Sequence, residues 1–518
     1  MRATHGRTVR DLRRENRTAV LQRLYFDGPA SRLSLGPATG LSSGSVSNVV
    51  AELVAEGLVE EAGSVDSAGG RPRTLLRISA GSGCMIGVDV GETRVRVELF
   101  DLTLTELART ERPLAVESRA PHDRYEVGLV VGHIRDGIAE VLRAADMDPG
   151  RLLGVGVGVP GIVAHGGAGS GAGRGVGAAV DVRSGAGSGG RAGGLVGAGG
   201  VIGAGGAVGA GGGSGDRTGG VVGAGAGSGD RAGGAGGVWA DRGNPGAGGD
   251  GAVVHGQTIG WDAVPLERML REAVDLPDSV PYWIDSGART LGQAELWFGA
   301  GRGAHSAVFV LFGSGVGACV ATDPLGPGRA LEWGHLTVRV RGRRCRCGAR
   351  GCLEAYAGAE AMLERWREAG GRPPAGADEE TALAAMLAAA HPADGSGSGP
   401  DATALAVLDE TAEYLGAGFA DLINLFQPER ILVGGWAGLQ LGDRFLDQVR
   451  EHAREYALPY PAARVTLGLG TLGPEAVTVG AAILPLADFF ARGGRRAEPG
   501  AAEAQPAWAT TLRERAAQ

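Results

Sequence analysis

The chain has 518 residues, of which 43% are hydrophobic, and it carries a formal net charge of −8 at pH 7. This length allows two or three folded domains, although the 96 glycines indicate that part of the chain builds no core. No apolar stretch of membrane-spanning length follows the basic start of the chain, which argues against a secreted or membrane-bound protein. Five cysteines without a secretory signal predict a cytoplasmic protein with reduced thiols.

The beginning of the chain concentrates positive charge and predicts helices. Residues 1–35 hold eight arginines against three acidic residues. An amphipathic segment over 13–24 leads to a helix stop at Gly28. Ser31 and Ser42 are suitable N-caps for the next two helices. The helix after Ser42 has one apolar face, and the opposite face carries small polar side chains that suit base edges in the major groove. These candidate DNA contacts are Ser43, Ser45, Ser47 and Asn48.

A glycine-rich turn followed by alternating apolar residues predicts a wing. In this turn Arg71 and Arg73 can grip phosphates or enter a minor groove. Pro37 departs from the pattern, because a proline inside the first helix of a helix-turn-helix motif should shorten or displace that helix. We predict a winged helix-turn-helix domain over residues 1–80 that binds double-stranded DNA. A small helical domain that binds another protein is the alternative.

The rest of the chain predicts an α/β body with one long interruption. From residue 84 onward, strand-like and helix-like segments alternate, which is the order of an α/β protein. Residues 166–251 are nearly half glycine and offer almost no large apolar side chains, so we expect a flexible, disordered insertion there. A regular array of glycine-rich helices is the alternative. We also expect a disordered tail over 491–518.

One imidazole and three thiols are spaced for a tetrahedral metal site. The candidate ligands are His335, Cys345, Cys347 and Cys352. Gly348 and Gly351 would let the backbone fold around the metal. Four protein ligands leave no open position for water, so we predict structural zinc rather than catalytic zinc. Thiols that are merely buried or paired as disulfides are the alternative, although three clustered thiols would leave one unpaired.

These residues also carry a family resemblance. Glu332-Trp-Gly-His335 and Cys345-Arg-Cys347-Gly-Ala-Arg-Gly-Cys352-Leu-Glu354 resemble the signature of the ROK family of sugar-responsive repressors and sugar kinases. Further similar segments lie at 89–93, 154–161, 260–266, 298–303, 313–317, 432–435 and 473–482. The resemblance implies an actin-like, two-lobed sugar-kinase fold over 84–165 and 252–490, with a sugar held in the cleft between the lobes.

The resemblance also implies the sugar-binding residues. They are Asp285, Glu332, His335 and Glu354. In kinases of the family, the aspartate of an Asn-Asp-Ala-Asn motif takes the proton from the attacking sugar hydroxyl. Here Ile284-Asp285-Ser286-Gly287 keeps the aspartate and neither asparagine, so Asp285 would be catalytic only if the chain is a kinase. Two alternatives stay open: Asp285 is a solvated turn residue, and the two glutamates only support the metal loop.

Two glycine-rich turns resemble the phosphate-binding turns of the kinases. Their residues are Asp89, Gly91 and Thr93 in the first turn and Gly313, Gly315 and Gly317 in the second. Glu92 replaces the second glycine of the first turn, and a carboxylate beside phosphates is unfavourable. We therefore interpret both turns as inherited architecture more than as a working nucleotide site.

Together these features predict a sugar-responsive, DNA-binding transcriptional regulator of the repressor kind with a zinc-braced effector domain. We expect a homodimer or a higher homo-oligomer that reads an inverted repeat in its operator. The main alternative is an ATP-Mg-dependent, glucokinase-like sugar kinase with an appended DNA-binding domain. A third possibility is a protein that has lost sugar binding and acts through DNA binding alone.

Overall fold

The computed structural model describes residues 8–67, 70–114, 125–165, 251–323, 328–392 and 399–496. The predicted flexible insertion over 166–251 lies outside these ranges except for its last residue. In the predicted disordered tail, 491–518, the first six residues are described and ordered, with Ala491 in the last helix. The rest of the tail lies outside the described ranges, so it and the insertion stay predictions.

The first 70 described residues form three helices and a small antiparallel sheet. The helices are α1 (Val9–Asp27), α2 (Arg32–Thr39) and α3 (Ser43–Ala55). The strands are β1 (Ala30–Ser31), β2 (Val59–Ser67) and β3 (Gly70–Ile78), in the order β1-β3-β2. The hairpin of β2 and β3 occupies the place of the predicted wing, after a helix-turn-helix formed by α2 and α3.

Side-chain caps set the start of each of these helices. Thr8, Ser31 and Ser42 each accept a hydrogen bond from the backbone N–H three residues later. The caps predicted at Ser31 and Ser42 are therefore confirmed. Four of the five residues predicted for the apolar face of α3 are buried and join the core with residues of α1, whereas the fifth, Val54, is exposed. The buried residues are Val46, Val49, Val50 and Leu53 of α3 and Val20, Leu21 and Leu24 of α1.

Pro37 lies inside α2 without ending it. The helix runs on to Thr39 and stops at Gly40, which has the left-handed conformation (φ 69°) that glycine tolerates. The helix is short, at eight residues. The proline is accommodated in place, and α2 still follows its predicted cap.

The body contains two five-stranded sheets that repeat one topology. The first sheet has the order β11-β7-β4-β5-β6 and comprises β4 (Cys84–Val90), β5 (Arg94–Asp101), β6 (Glu106–Pro113), β7 (Leu152–Val159) and β11 (Tyr282–Ser286). The second has the order β14-β13-β12-β15-β16 and comprises β12 (Ala307–Phe312), β13 (Val316–Ala321), β14 (Arg329–Leu331), β15 (Arg430–Gly434) and β16 (Thr466–Leu469). In each sheet three consecutive antiparallel strands are followed by two parallel ones. This repetition defines two lobes.

Helices cover these sheets, and a third small sheet extends the first lobe. The small sheet comprises β8 (Ile162–His165), β9 (Ala252–Gly256) and β10 (Trp261–Val264). The first part of the body carries helices α4 (Val127–Ala144), α5 (Leu266–Ala273) and α6 (Gly287–Phe298). The remaining helices are α7 (Glu354–Ala357), α8 (Ala359–Glu368), α9 (Glu379–Ala390), α10 (Ala402–Phe426), α11 (Trp436–Tyr456), α12 (Pro459–Ala462) and α13 (Ala476–Ala491).

Helix α13 packs directly against the backbone of the first sheet. A Cβ atom at Gly87 of β4 would lie 2.1 Å from the Thr478 carbonyl oxygen, and one at Gly156 of β7 would lie 1.8 Å from the Ala481 carbonyl oxygen. The segment Gly473–Ala491 is long and apolar enough to span a membrane, but 72% of it is buried inside the protein, as in a core helix. Glycines in the strands therefore allow a buried helix to approach closely.

We expect Gly156→Ala to destabilise the body for this reason. The added methyl group would overlap the Ala481 carbonyl, and overpacking of this kind lowers the free energy of unfolding by about 1–3 kcal/mol. Denaturant unfolding of the purified variant measures this change. Gly132→Ala in α4 is the control, because a Cβ there meets no atom within 4 Å and alanine favours the helix. Equal stability of the two variants would contradict the packing argument.

Aromatic side chains join the N-terminal unit to the body. The Phe26 ring of α1 lies 4.9 Å from Trp297 of α6, and the Tyr25 ring lies 5.0 Å from Phe490 of α13, as measured between ring centroids. Both pairs meet edge to face, a favourable geometry for aromatic rings. The apolar core of α1 and α3 is thus continuous with that of α6 and α13.

Candidate functional site

The cysteine loop is folded around the predicted metal ligands. The Cys345 N–H donates to the Ala349 carbonyl at 2.9 Å, and the Gly348 N–H donates back to the Cys345 carbonyl at 2.9 Å. Gly348 and Gly351 have φ angles of 91° and 80°, and a Cβ at Gly351 would lie 1.8 Å from the Arg339 carbonyl oxygen. Glycine is therefore required at both positions, as the sequence predicted.

The four donor side chains converge on one point. One ligand atom from each of His335, Cys345, Cys347 and Cys352 lies within 4.8 Å of the others. The Cys347 and Cys352 Sγ atoms are 3.8 Å apart, and the Cys345 Sγ is 3.8 Å from His335 Nδ1. Two sulfurs bonded to one tetrahedral zinc at about 2.3 Å lie about 3.8 Å apart. These residues can hold a metal ion, and the disulfide alternative is wrong because all five cysteines are free.

The charge state of the Cys345 and Cys352 thiols depends on whether a metal ion is bound. Burial raises the pKa of the Cys345 thiol and, more moderately, that of the Cys352 thiol. Without a metal these thiols stay protonated at neutral pH. A metal ion binds thiolates and displaces the protons, so occupation of the site releases protons.

Three of the four predicted sugar-binding residues lie at this cluster: His335 belongs to it, and Glu332 and Glu354 flank it. His335 Nε2 lies 3.9 Å from the Glu332 carboxylate, while its Nδ1 faces Cys345. The buried Glu354 carboxylate lies 3.9 Å from the Cys345 Sγ and accepts the Val316 N–H at 3.2 Å. Glu332 is about half exposed. The imidazole can therefore bind a metal through one nitrogen and present the other toward a ligand or Glu332.

Asp285 lies on the other lobe, at the end of β11. It is 4% exposed, so the alternative of a solvated turn aspartate is wrong. Its Oδ1 accepts two hydrogen bonds of 2.8 Å, from the Ser286 N–H and from the Arg289 guanidinium. Arg289 was not among the residues predicted for this site, although its position one helical turn after Asp285 is a signal for such an ion pair.

The two glycine-rich turns are joined by Arg346, which was also not among the predicted site residues. Arg346, between the metal-loop cysteines, donates to both oxygens of Glu92 at 2.9 and 3.2 Å. It also donates to Glu354 at 3.3 Å and pairs with Glu360 at 2.9 Å. A Cβ at Gly315 would lie 2.2 Å from the Glu354 carboxylate and 2.9 Å from Arg346. One arginine and its carboxylates thus fill the space between the turns and bridge the lobes.

Four of the six predicted DNA-binding residues are exposed at the surface of the N-terminal unit. Ser43, Ser47 and Asn48 are exposed on α3, and Arg73 is exposed on β3. Ser45 differs, because its hydroxyl lies 2.9 Å from the Ser42 hydroxyl within the helix cap. The Arg71 side chain lies outside the described part of the structure. The face thus retains three polar side chains near the start of the helix.

This fold and site define a class of protein: a two-lobed α/β body with four potential metal ligands beside the junction of its lobes, preceded by a winged helix-turn-helix unit. The sequence profile of the ROK family matches residues 245–487. A glucokinase from Halalkalibacterium halodurans is 34% identical over 242 residues, which cover 44% of this chain and 70% of that protein. The chain belongs to the ROK family.

Other relatives align over nearly the whole chain. A putative xylose repressor from Caldicellulosiruptor sp. is 23% identical over 488 residues, which cover 92% of this chain and 96% of that protein. The crystal structure of a ROK family transcriptional regulator, a homologue of the E. coli MLC protein, matches with a TM-score of 0.58. That match has 20% sequence identity and covers 93% of this chain and 98% of the other. The predicted fold class is therefore confirmed.

Proposed function

We propose that the protein is a sugar-responsive transcriptional repressor whose body binds a sugar and whose N-terminal unit binds operator DNA. The observation that carries this proposal is the exposed polar face of α3 on a winged unit that packs onto the sugar-kinase-like body. The xylose repressor aligns over 92% of the chain, whereas the glucokinase aligns over 44%. The alignment with the repressor thus includes both the N-terminal unit proposed to bind DNA and the body proposed to bind the sugar.

The contacts between the two glycine-rich turns favour a sensor over a kinase. The Val316 N–H, one of the backbone donors that the second turn could offer to a phosphate, already donates to Glu354. At the first turn, Glu92 places another carboxylate besides Glu354 near this space, and Arg346 holds it there. Phosphate groups placed here would meet negative charge, which opposes the stabilisation that phosphoryl transfer requires. The ion pair between Arg289 and Asp285 likewise competes with the use of Asp285 as a base.

We infer that structural zinc occupies the cluster of His335 and the three cysteines. Zinc would fix the loop that carries Arg346 and would set the orientation of the His335 ring. Glu332 and Glu354 then present carboxylate oxygens, which accept hydrogen bonds from sugar hydroxyls. The xylose repressors among the relatives make D-xylose the first sugar to test.

We further propose that the protein acts in the cytoplasm as a homodimer or a higher homo-oligomer. A symmetric dimer presents two copies of α3 to two half-sites, which raises affinity and fixes their spacing. Effector control requires that the sugar bind the DNA-bound and DNA-free conformations with different affinity.

A DNA selection with the full-length protein tests the proposal. Fragments recovered from a random duplex library should bind with a dissociation constant on the order of 10⁻⁸ M at physiological salt. Asn48→Ala should weaken binding to the selected site by about 1–3 kcal/mol, measured by fluorescence anisotropy. Thr103→Ala, in a turn of the body, is the control and should bind normally. Binding that is indifferent to sequence would overturn the assignment of α3.

The same preparation tests the kinase alternative. Incubation with D-xylose or D-glucose and ATP-Mg should release no ADP above the sugar-free background. Release of ADP that depends on the sugar would make the protein an enzyme and reverse the proposal.

A further inference from the structure

Arg17 is a buried arginine that ties together three parts of the molecule. Its side chain is 1% exposed, in the middle of α1. The guanidinium Nε donates to the Gly493 carbonyl at 2.6 Å, and Nη1 donates to Glu52 at 3.3 Å and to Glu56 at 2.8 Å. Glu52 lies in α3, and Glu56 caps its end. One side chain thus links α1, the proposed DNA-recognition helix and the turn that follows α13.

The end of α13 is fitted into the N-terminal unit by further contacts. The Thr18 hydroxyl of α1 donates to the Phe490 carbonyl at 2.7 Å. Gly493 and Gly494 have φ angles of 70° and 79°, and a Cβ at Gly494 would lie 2.8 Å from the Leu58 side chain. Glycine at both positions is required for this close contact with the N-terminal unit. The Gly493 carbonyl, which accepts a hydrogen bond from Arg17, therefore has a defined position.

The other half of α13 is packed against the elements that carry the candidate effector site. Its Thr478 carbonyl lies on Gly87 of β4, the strand that leads to the turn with Glu92. A Cβ at Gly480 would lie 1.8 Å from the carbonyl oxygen of Thr290 in α6, the helix that begins directly after β11 and Asp285. A helix of 16 residues is about 24 Å long. Helix α13 therefore spans from the effector strands to Arg17.

We propose that α13 and Arg17 transmit the state of the effector site to the recognition helix α3, with Arg17 as the positioning residue. This inference rests on the proposed function. Backbone-to-backbone packing makes α13 move with β4, β7 and α6, so a change in lobe arrangement displaces its last carbonyls. Arg17 holds Gly493 and the two carboxylates of α3 with one planar fork, so α3 follows that displacement. Coupling of this kind is carried by an element with two arrangements that both sites bias.

Arg17→Lys tests the inference, because lysine keeps the charge near Glu52 and Glu56 but cannot hold three partners in the geometry of a guanidinium. The readout is the ratio of dissociation constants for the selected DNA with and without saturating D-xylose, or D-glucose if D-xylose is inactive on the wild type. We expect this ratio to move toward one by about fivefold or more. Sugar affinity and zinc content should match the wild type.

Arg13→Lys is the matched control. Arg13 also pairs with Glu52 but is 55% exposed, and its replacement should leave the ratio unchanged. Thr18→Val removes a second hydrogen bond at the same junction and serves if Arg17→Lys does not fold; it should also move the ratio toward one. An unchanged ratio in the folded variants, even with weaker DNA binding overall, would overturn the inference and leave Arg17 purely structural. A wild type whose DNA affinity ignores the sugars would instead refute the proposed function.

Discussion

Replacing Cys352 by serine is expected to abolish stoichiometric metal binding. The Cys352 Sγ lies 3.8 Å from that of Cys347 and belongs to a cluster of four donors within 4.8 Å. Zinc affinity should fall by more than about a hundredfold, since even the loss of a residue that only supports a ligand costs 10–100-fold. Metal analysis of the purified protein measures the zinc-to-protein ratio, which should approach one in the wild type and fall far below it in the variant.

The same change should disturb the contacts between the glycine-rich turns. Arg346 lies between two of the ligands and makes the bidentate contact with Glu92, so a loosened loop releases this bridge between the lobes. The control is Cys84→Ser, which alters a thiol that is equally buried but lies on β4, away from the cluster. It should reduce stability without reducing zinc content. Retention of one zinc per chain by Cys352→Ser would contradict the ligand assignment.

Replacing Glu98 by glutamine is expected to stabilise the protein above neutral pH. Glu98 is fully buried on β5, and burial raises the pKa of its carboxyl to about 7 although the Thr478 hydroxyl and Arg96 oppose this. The folded protein therefore binds this proton more tightly than the unfolded chain does, and the wild type loses stability as the pH rises from about 4.5 to about 7. Above pH 7 the difference between folded and unfolded pKa values corresponds to about 3 kcal/mol. Glutamine removes this penalty and keeps an oxygen for Thr478.

Denaturant unfolding at several pH values measures this effect. Glu98→Gln should show a smaller loss of stability between pH 5 and pH 8 than the wild type does. Glu111→Gln is the control of opposite sign: burial opposes, but Arg96 and Arg94 hold the pKa of Glu111 below its ordinary value. Loss of that carboxylate should lower stability at neutral pH. A stability profile of Glu98→Gln that parallels the wild type would contradict the account of Glu98.

Local features of the sequence predicted local features of the structure well. The caps at Ser31 and Ser42 and the turns at Gly348 and Gly351 depend on neighbours within a few residues, so their chemistry can be read directly from the chain. The convergence of the four potential metal ligands was predictable for the same reason, because they lie within 18 positions.

Long-range contacts of the arginine side chains could not be predicted in this way. Arg346 meets Glu92 across 254 positions, and Arg17 meets Gly493 across 476. Nothing near these residues in the chain identifies their partners, because the fold alone brings them together. In the sequence both residues look like ordinary surface arginines. In the structure Arg346 connects the two lobes, and Arg17 connects the N-terminal unit to the end of α13.

The proposed function requires that the body sense a sugar and control DNA binding without phosphorylating that sugar. The most direct test titrates D-xylose and D-glucose, each with and without ATP-Mg, into the complex of full-length protein and selected DNA while anisotropy is recorded. We expect that one sugar changes DNA affinity by about fivefold or more, that ATP-Mg has no influence, and that the sugar is recovered unphosphorylated. DNA affinity that ignores both sugars, or recovery of a sugar phosphate, would contradict the proposed function.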